Sequence, residues 1–186
     1  SVANITSTPF STYVVLSGEG VPIARAITSA ATCPAIDLDG ESRAMTVRAP
    51  SGTMPLRATV SPPSASKPSS FPVLTCEATI PAGVARASID GHALPLPKGA
   101  PRTIAVIGDT GCRMASAGDA FQACNDPAEW PFAAVANAAA AAAPDLVIHV
   151  GDYLYRESCT AGKTKCPSTK TGYGWDVWNE DFFTPS

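Results

Sequence analysis

The sequence predicts a two-part fold: an all-β, sandwich-like domain over residues 1–100, then the first βαβ portion of an α/β domain over residues 101–186. Three observations carry this. The first hundred residues hold short apolar runs broken by Gly, Pro, Ser and Asp, a spacing typical of antiparallel sandwiches and barrels. Two later runs, residues 103–107 (TIAVI) and 146–150 (LVIHV), are short, β-branched and bounded by turn residues, as fully buried strands are. Between them lies an alanine-rich stretch with helix start and stop signals.

In the first part, strands are expected at residues 12–16, 44–48, 56–60, 73–77 and 85–89. Asp37, Asp39 and Gly40 mark one turn, and Gly83 and Gly91 mark others. Residues 61–70 (SPPSASKPSS) cannot bury a core and read as a loop. His92 reads as a surface residue, and residues 94–101 (LPLPKGAP) as an extended, Pro-rich linker. In the second part a helix is expected to start at Asp126, with Pro127 in its first turn and Glu129 closing a capping box, and to end at Ala143 before Pro144. Strand, helix and strand in that order give parallel strands and a right-handed crossover. The connection from Gly111 to Cys124 is long for a βα loop and is expected to cover the site. Trp175, Trp178, Phe182 and Phe183 recur at helical spacing and predict a short helix whose aromatic face covers the core.

Composition limits the partners. A formal net charge of −3 gives no basic footprint for nucleic acid or an acidic membrane, and no apolar run approaches the roughly 20 residues that span a bilayer. The sequence opens at Ser1 without Met or an apolar leader, as a mature secreted or periplasmic chain would, or a trimmed one. Six cysteines, at 33, 76, 112, 124, 159 and 166, show no CxxC spacing and point to disulfides in an oxidising compartment. The expected pairs are Cys33–Cys76, Cys112–Cys124 and Cys159–Cys166; reduced, buried thiols are the alternative.

Both later strands end in Gly-Asp: Gly108-Asp109 and Gly151-Asp152. Parallel strands bring both pairs to the carboxyl edge of one sheet, where open α/β sheets bind ligands. Two carboxylates so close repel unless a cation lies between them, and a metal ion is the natural resident. Tyr155 follows Asp152 by three residues and can face the same point, where a phenolate is a hard oxygen ligand. The plainer alternatives are that the two Asp residues cap turns and that Tyr155 is a core or rim aromatic. Arg113 could contact a phosphate or form a surface ion pair. His149 is expected to be a packed, hydrogen-bonded core histidine rather than a ligand, and Arg156 to pair with Glu157.

GDTG at residues 108–111 and GDYLY at residues 151–155 resemble the GDxG and GDxxY motifs of the purple acid phosphatase branch of the calcineurin-like metallophosphoesterases. With IGDTGCR at residues 107–113, VGDYLYRE at 150–157 and GWDVWNEDFF at 174–183, the likeness is to the secreted bacterial type and is specific over residues 102–183. The wider superfamily usually carries His two positions after the first Asp; here Gly111 stands there, as in the purple branch. The resemblance implies the four-layer β-sandwich-with-helices domain of that family, with Asp109 on the first metal, Asp152 bridging two, and Tyr155 bound to the first as a tyrosinate. It implies Fe(III) at the Tyr155 site beside a divalent Fe, Zn or Mn ion. The implied activity is phosphomonoester hydrolysis, by in-line attack of a metal-bound hydroxide on a small-molecule substrate.

The family's GNHE motif and later histidine ligands do not occur in this sequence, so the chain offers half a site. A second polypeptide, the C-terminal part of the same precursor, is then expected to supply those ligands and the general-acid His, leaving no catalytic residue in this chain. The other class of function is a non-catalytic secreted binding or structural module with a degenerate or single-metal site. A dinucleotide-binding role lacks its glycine fingerprint.

Overall fold

The computed structural model describes residues 10–56, 67–114, 122–156 and 170–186. These residues are β-rich, with four sheets and two short helices. The chain divides into two compact units, Ser1–Gly52 with Pro72–Gly99 and Thr53–Phe71 with Ala100–Ser186.

In the first unit, β1 (Ser11–Leu16), β2 (Pro22–Thr28), β5 (Thr46–Ala49) and β8 (Leu74–Thr79) form an antiparallel sheet in the order β1-β2-β8-β5. A second antiparallel sheet, β10-β9-β3-β4, joins β3 (Ala35–Leu38), β4 (Glu41–Ala44), β9 (Ala87–Ile89) and β10 (His92–Ala93). Alternate residues of both sheets meet in one core, with Ala24, Ala26, Leu74 and Cys76 from the first and Ile36, Leu38, Ala87 and Ile89 from the second. Asp39-Gly40 and Asp90-Gly91 close the two hairpins of the second sheet with positive φ at both central residues, the geometry that matches strand twist in two-residue loops. His92 is exposed on β10, as the sequence suggests.

The strands at β2, β3 and β4 escape the sequence reading. β2 opens on Pro22, which reads as a breaker yet is tolerated as a strand's first residue; its carbonyl accepts the Ile80 N–H at 3.0 Å. The loop expected at residues 61–70 ends instead in strand β7 (Ser69–Phe71), which pairs with β6 (Gly52–Met54). Leu94, expected in the linker, is buried in the first core.

In the second unit, β11 (Ile104–Ile107) and β12 (Leu146–His149) pair in parallel, from Ile104 opposite Leu146 to Ile107 opposite His149. The Asp145 carboxylate fastens their amino ends, accepting the Arg102 and Thr103 N–H groups at 2.9 Å each. These strands are not fully buried as expected: Val106 is 61% and Val150 69% exposed. With only one strand neighbour each among the described residues, they show apolar side chains that a larger parallel sheet would cover.

Helix α1 spans Phe132–Ala141 and so begins six residues later than expected. Pro131 explains the delay, since a proline excludes the residue before it from helical geometry. Asp126 instead organises a separate turn: its carbonyl accepts the Glu129 and Trp130 N–H groups, and its carboxylate accepts the Ala128 N–H at 2.9 Å. Glu129 forms no capping box; its carboxylate takes the Ala123 N–H at 2.8 Å. The helix stops where Ala143 turns to φ 46° before Pro144.

Helix α2 (Trp175–Trp178) runs into a π-helical turn, Asn179–Phe183. The π turn changes the facing expected from regular helical spacing, so that Val177 and Asp181 are the buried residues while the aromatic side chains are half-buried around them.

Two disulfides form as expected, Cys33–Cys76 across 43 residues and Cys112–Cys124 across 12; Cys159 and Cys166 lie outside the described residues. The disulfides fit an oxidising compartment, and among the described residues no helix is long and apolar enough to cross a membrane. Replacing Cys33 and Cys76 together with Ala removes the longer cross-link and should lower the unfolding free energy by about 2–4 kcal/mol, read by denaturant titration.

Candidate metal centre

Two successive turns build the site at the carboxyl ends of β11 and β12. Backbone hydrogen bonds continue past the strands: the Val150 N–H donates to Ile107 O (2.8 Å), the Asp109 N–H to Gly151 O (3.0 Å), and the Thr110 and Gly111 N–H groups to Asp152 O (3.0 and 3.2 Å). Asp109 and Asp152 both sit in the left-handed region, at φ 57° and 59°. Such a conformation is unfavourable for residues other than Gly, although short polar side chains tolerate it best. The same strained turn therefore recurs at the same edge of two paired strands, and each copy presents a carboxylate.

The glycines of the motif have separate steric reasons. A Cβ on Gly108 would lie 2.5 Å from Val150 Cγ2. One on Gly111 would lie 2.7 Å from Tyr153 O and 2.8 Å from the Leu154 backbone. The first loop thus presses its backbone against the second, and position 111 has no room for any side chain.

Tyr155 completes the convergence. Its hydroxyl donates to Asp109 Oδ1 in a short hydrogen bond and also interacts with the Asp152 carboxylate. The hydrogen bond to Asp109 raises the phenol's pKa well above its ordinary value of 10.0, and burial, the hydrogen bond with Asp152 and the two carboxylate charges push the same way. All three expected metal-site residues, Asp109, Asp152 and Tyr155, meet at one point. Their donors are all oxygen, the set that hard cations prefer. Among the described residues no group of three or more His, Cys, Asp or Glu side chains gathers as a complete ligand set.

An open cleft of about 410 Å3 begins at Asp109 and Tyr155 and continues between Arg113, Gln122, Trp130 and Val135. Arg113 is exposed and borders this cleft. Trp130 anchors the first loop by donating its indole N–H to Thr110 O at 2.8 Å. The sequence points to Arg113 and to the Gly111–Cys124 connection but not to Trp130, because Trp130 reaches the cleft through the turn that Asp126 and Pro131 impose.

His149 is hydrogen-bonded, as expected, but half-buried rather than in the core. Its Nδ1 accepts the Gly151 N–H at 3.2 Å, so the neutral ring carries its proton on Nε2, which lies 2.9 Å from Thr110 Oγ1. The ring stacks on Tyr153 with centroids 3.9 Å apart. One imidazole thereby bridges both loops. Arg156 departs from expectation: it pairs with Asp181 and Glu180, while Glu157 lies outside the described residues.

Comparison of the chain with models of protein families, with characterised proteins and with solved structures finds no match.

Two outcomes follow from this geometry. Gly111→Ala should destabilise the protein by about 1–3 kcal/mol through overpacking, whereas Gly18→Ala, with nothing within 4 Å, should stay within about 0.5 kcal/mol of the parent in the same denaturant titration. Burial lowers the His149 pKa from 6.5. A histidine whose folded pKa lies below its unfolded value stabilises the fold above the unfolded value and loses that contribution as pH falls through the folded one. The melting temperature should therefore fall more steeply between about pH 7 and pH 5 in the parent than in His149→Gln.

Proposed function

We propose that this chain is the amino-terminal part of a binuclear metallophosphoesterase resembling the purple acid phosphatases, and that it supplies half of the metal site. The single observation that carries this reading is the meeting of Asp109, Asp152 and Tyr155 through two matched left-handed turns at the carboxyl edge of two parallel strands. Capping alone does not explain it, since a capping Asp satisfies local N–H groups, whereas these carboxylates face the Tyr155 hydroxyl. The absence of space at position 111 supports the purple branch, because the His that other branches carry there would not fit.

On this reading residues 1–100, apart from Thr53–Phe71, which group with the second unit, form an accessory β domain, and residues 101–186 open the catalytic one. Asp109 and Tyr155 would hold Fe(III), and Asp152 would be shared between it and a divalent Fe, Zn or Mn ion. When bound, such a pair neutralises charge developing on a phosphoryl group and lowers the pKa of a water near it. The contribution of this chain is orientation: rigid backbone turns fix the three oxygen donors before any cation arrives, which limits the reorganisation that binding requires. The cleft beside Asp109 receives the ester group of a small phosphoester, with Arg113 at its border.

The remaining ligands and the general acid come from a second polypeptide, the C-terminal part of the same precursor. Support lies in the bare sheet face. Ile104, Val106, Ile148 and Val150 share one side by register and are all at least 41% exposed, whereas parallel sheets are normally covered on both faces.

Fe(III) supplied as its nitrilotriacetate complex to the complete protein should produce a visible tyrosinate-to-Fe(III) absorption, and Tyr155→Phe should abolish it. No band in the parent, or an equal band in Tyr155→Phe, would remove this assignment.

A further inference from the structure

Behind the site lies a buried ion pair that no oxygen donor of the metal centre explains. Arg156 and Asp181 are both 0% exposed. Arg156 Nε donates to Asp181 Oδ2 at 3.0 Å, and Arg156 Nη2 lies 2.7 Å from Asp181 Oδ1, an ion contact rather than an aligned hydrogen bond. The third nitrogen, Nη1, donates to Glu180 Oε1 at 3.2 Å, and Lys170 Nζ holds the other Glu180 oxygen at 2.6 Å. On the chain just before Arg156, the Tyr155 carbonyl accepts the Met114 N–H at 3.0 Å and so joins the second loop to the first.

These partners are the immediate neighbours of the site. Arg156 follows Tyr155, and Met114 lies three residues beyond Gly111, where the first loop presses on the second. One carboxylate is thus tied to the residue after Tyr155 and, through the Tyr155 carbonyl, to the first loop. It reaches them from the π-helical turn Asn179–Phe183, a rare geometry often found at functional sites. A buried ion pair is a weak source of net stability, because desolvation offsets most of its attraction, and such pairs are best known for fixing one arrangement over others.

We infer that Asp181 is a positioning residue, holding the Tyr155 segment through Arg156 and, through that segment, the Asp109 loop, so that the three oxygen donors stay convergent. This rests on the metal-site reading above, and it adds a residue that touches neither the metals nor substrate. Glu180 and Lys170 extend the pair to the surface and orient the guanidinium. The neighbouring exposed pair, Lys67 with Asp176 at 3.2 Å, makes no such connection and serves as the control.

The test compares four proteins: the parent, Asp181→Asn, the double variant Asp181→Asn with Arg156→Gln, and Lys67→Ala. Asp181→Asn leaves a buried cation unpaired and is at risk of misfolding; the double variant removes both charges while nearly keeping their shape. Amide exchange is measured first, on the metal-free complete protein. Protection of the Asp109, Thr110 and Gly111 amides should fall by about tenfold in the double variant, with β2 and β8 amides unchanged and Lys67→Ala equal to the parent. Fe(III) affinity, from the same nitrilotriacetate titration, should fall by about 10- to 100-fold, as when groups that orient metal ligands are removed.

Parent-like protection of the three loop amides in the folded double variant would overturn the inference, as would an equal loss in Lys67→Ala. A parent that takes up no Fe(III) would instead sink the metal-site reading, and amide exchange would still decide whether Asp181 holds the loops.

Discussion

The close approach of two backbone loops at Gly111 is the constraint on which the site depends. Without a Cβ there, the first loop can lie against Tyr153 and Leu154 and its amides can reach Asp152 O. Those hydrogen bonds fix the left-handed turns at Asp109 and Asp152, and the turns in turn aim the carboxylates. Strain of this kind costs of order 1–3 kcal/mol per residue and persists only where surrounding structure over-determines it. Here the determination comes from several sides: the parallel ladder beneath, the His149 bridge between Thr110 and Gly151, the Trp130 indole on Thr110 O, and the Cys112–Cys124 disulfide.

Packing around that contact is aromatic. Phe182 lies 5.0 Å from Tyr153 and 5.5 Å from His149 in edge-to-face contacts, and stacks on Phe132 at 6.1 Å. The start of α1, the second loop and the π turn therefore share one cluster. Edge-to-face pairs add roughly 0.5–1.5 kcal/mol each beyond area burial, and they fix orientation as well as distance. The polar counterpart of this cluster is Asp181, buried beside it and joined to Arg156.

Much of the site was legible because its signals are local. Gly-Asp after a β-branched run names both the strand and the turn, and the two copies could be placed together once the intervening helix made the strands parallel. The Cys112–Cys124 pair followed from its place beside the first Gly-Asp loop, and Cys33–Cys76 from both cysteines lying in the first half of the sequence. What escaped was set by contacts distant in sequence. Pro22 opens a central strand because its carbonyl finds Ile80, and α1 starts late because Pro131 overrides the cap signal at Asp126. Asp181 carries no signal of its own in the sequence; the π turn carries it inward to Arg156. Local propensity has no access to such pairings.

The bare face of β11 and β12 and the incomplete oxygen set are two aspects of one proposal, that this chain is completed by another polypeptide. Native mass spectrometry of the protein isolated from its natural source weighs polypeptides and metals together and tests that claim most directly. The account predicts a species heavier than the 19.0 kDa chain, resolving into this chain, or a precursor containing it, an unlike polypeptide segment, and two transition-metal ions. A single chain at its own mass with no metal would contradict it.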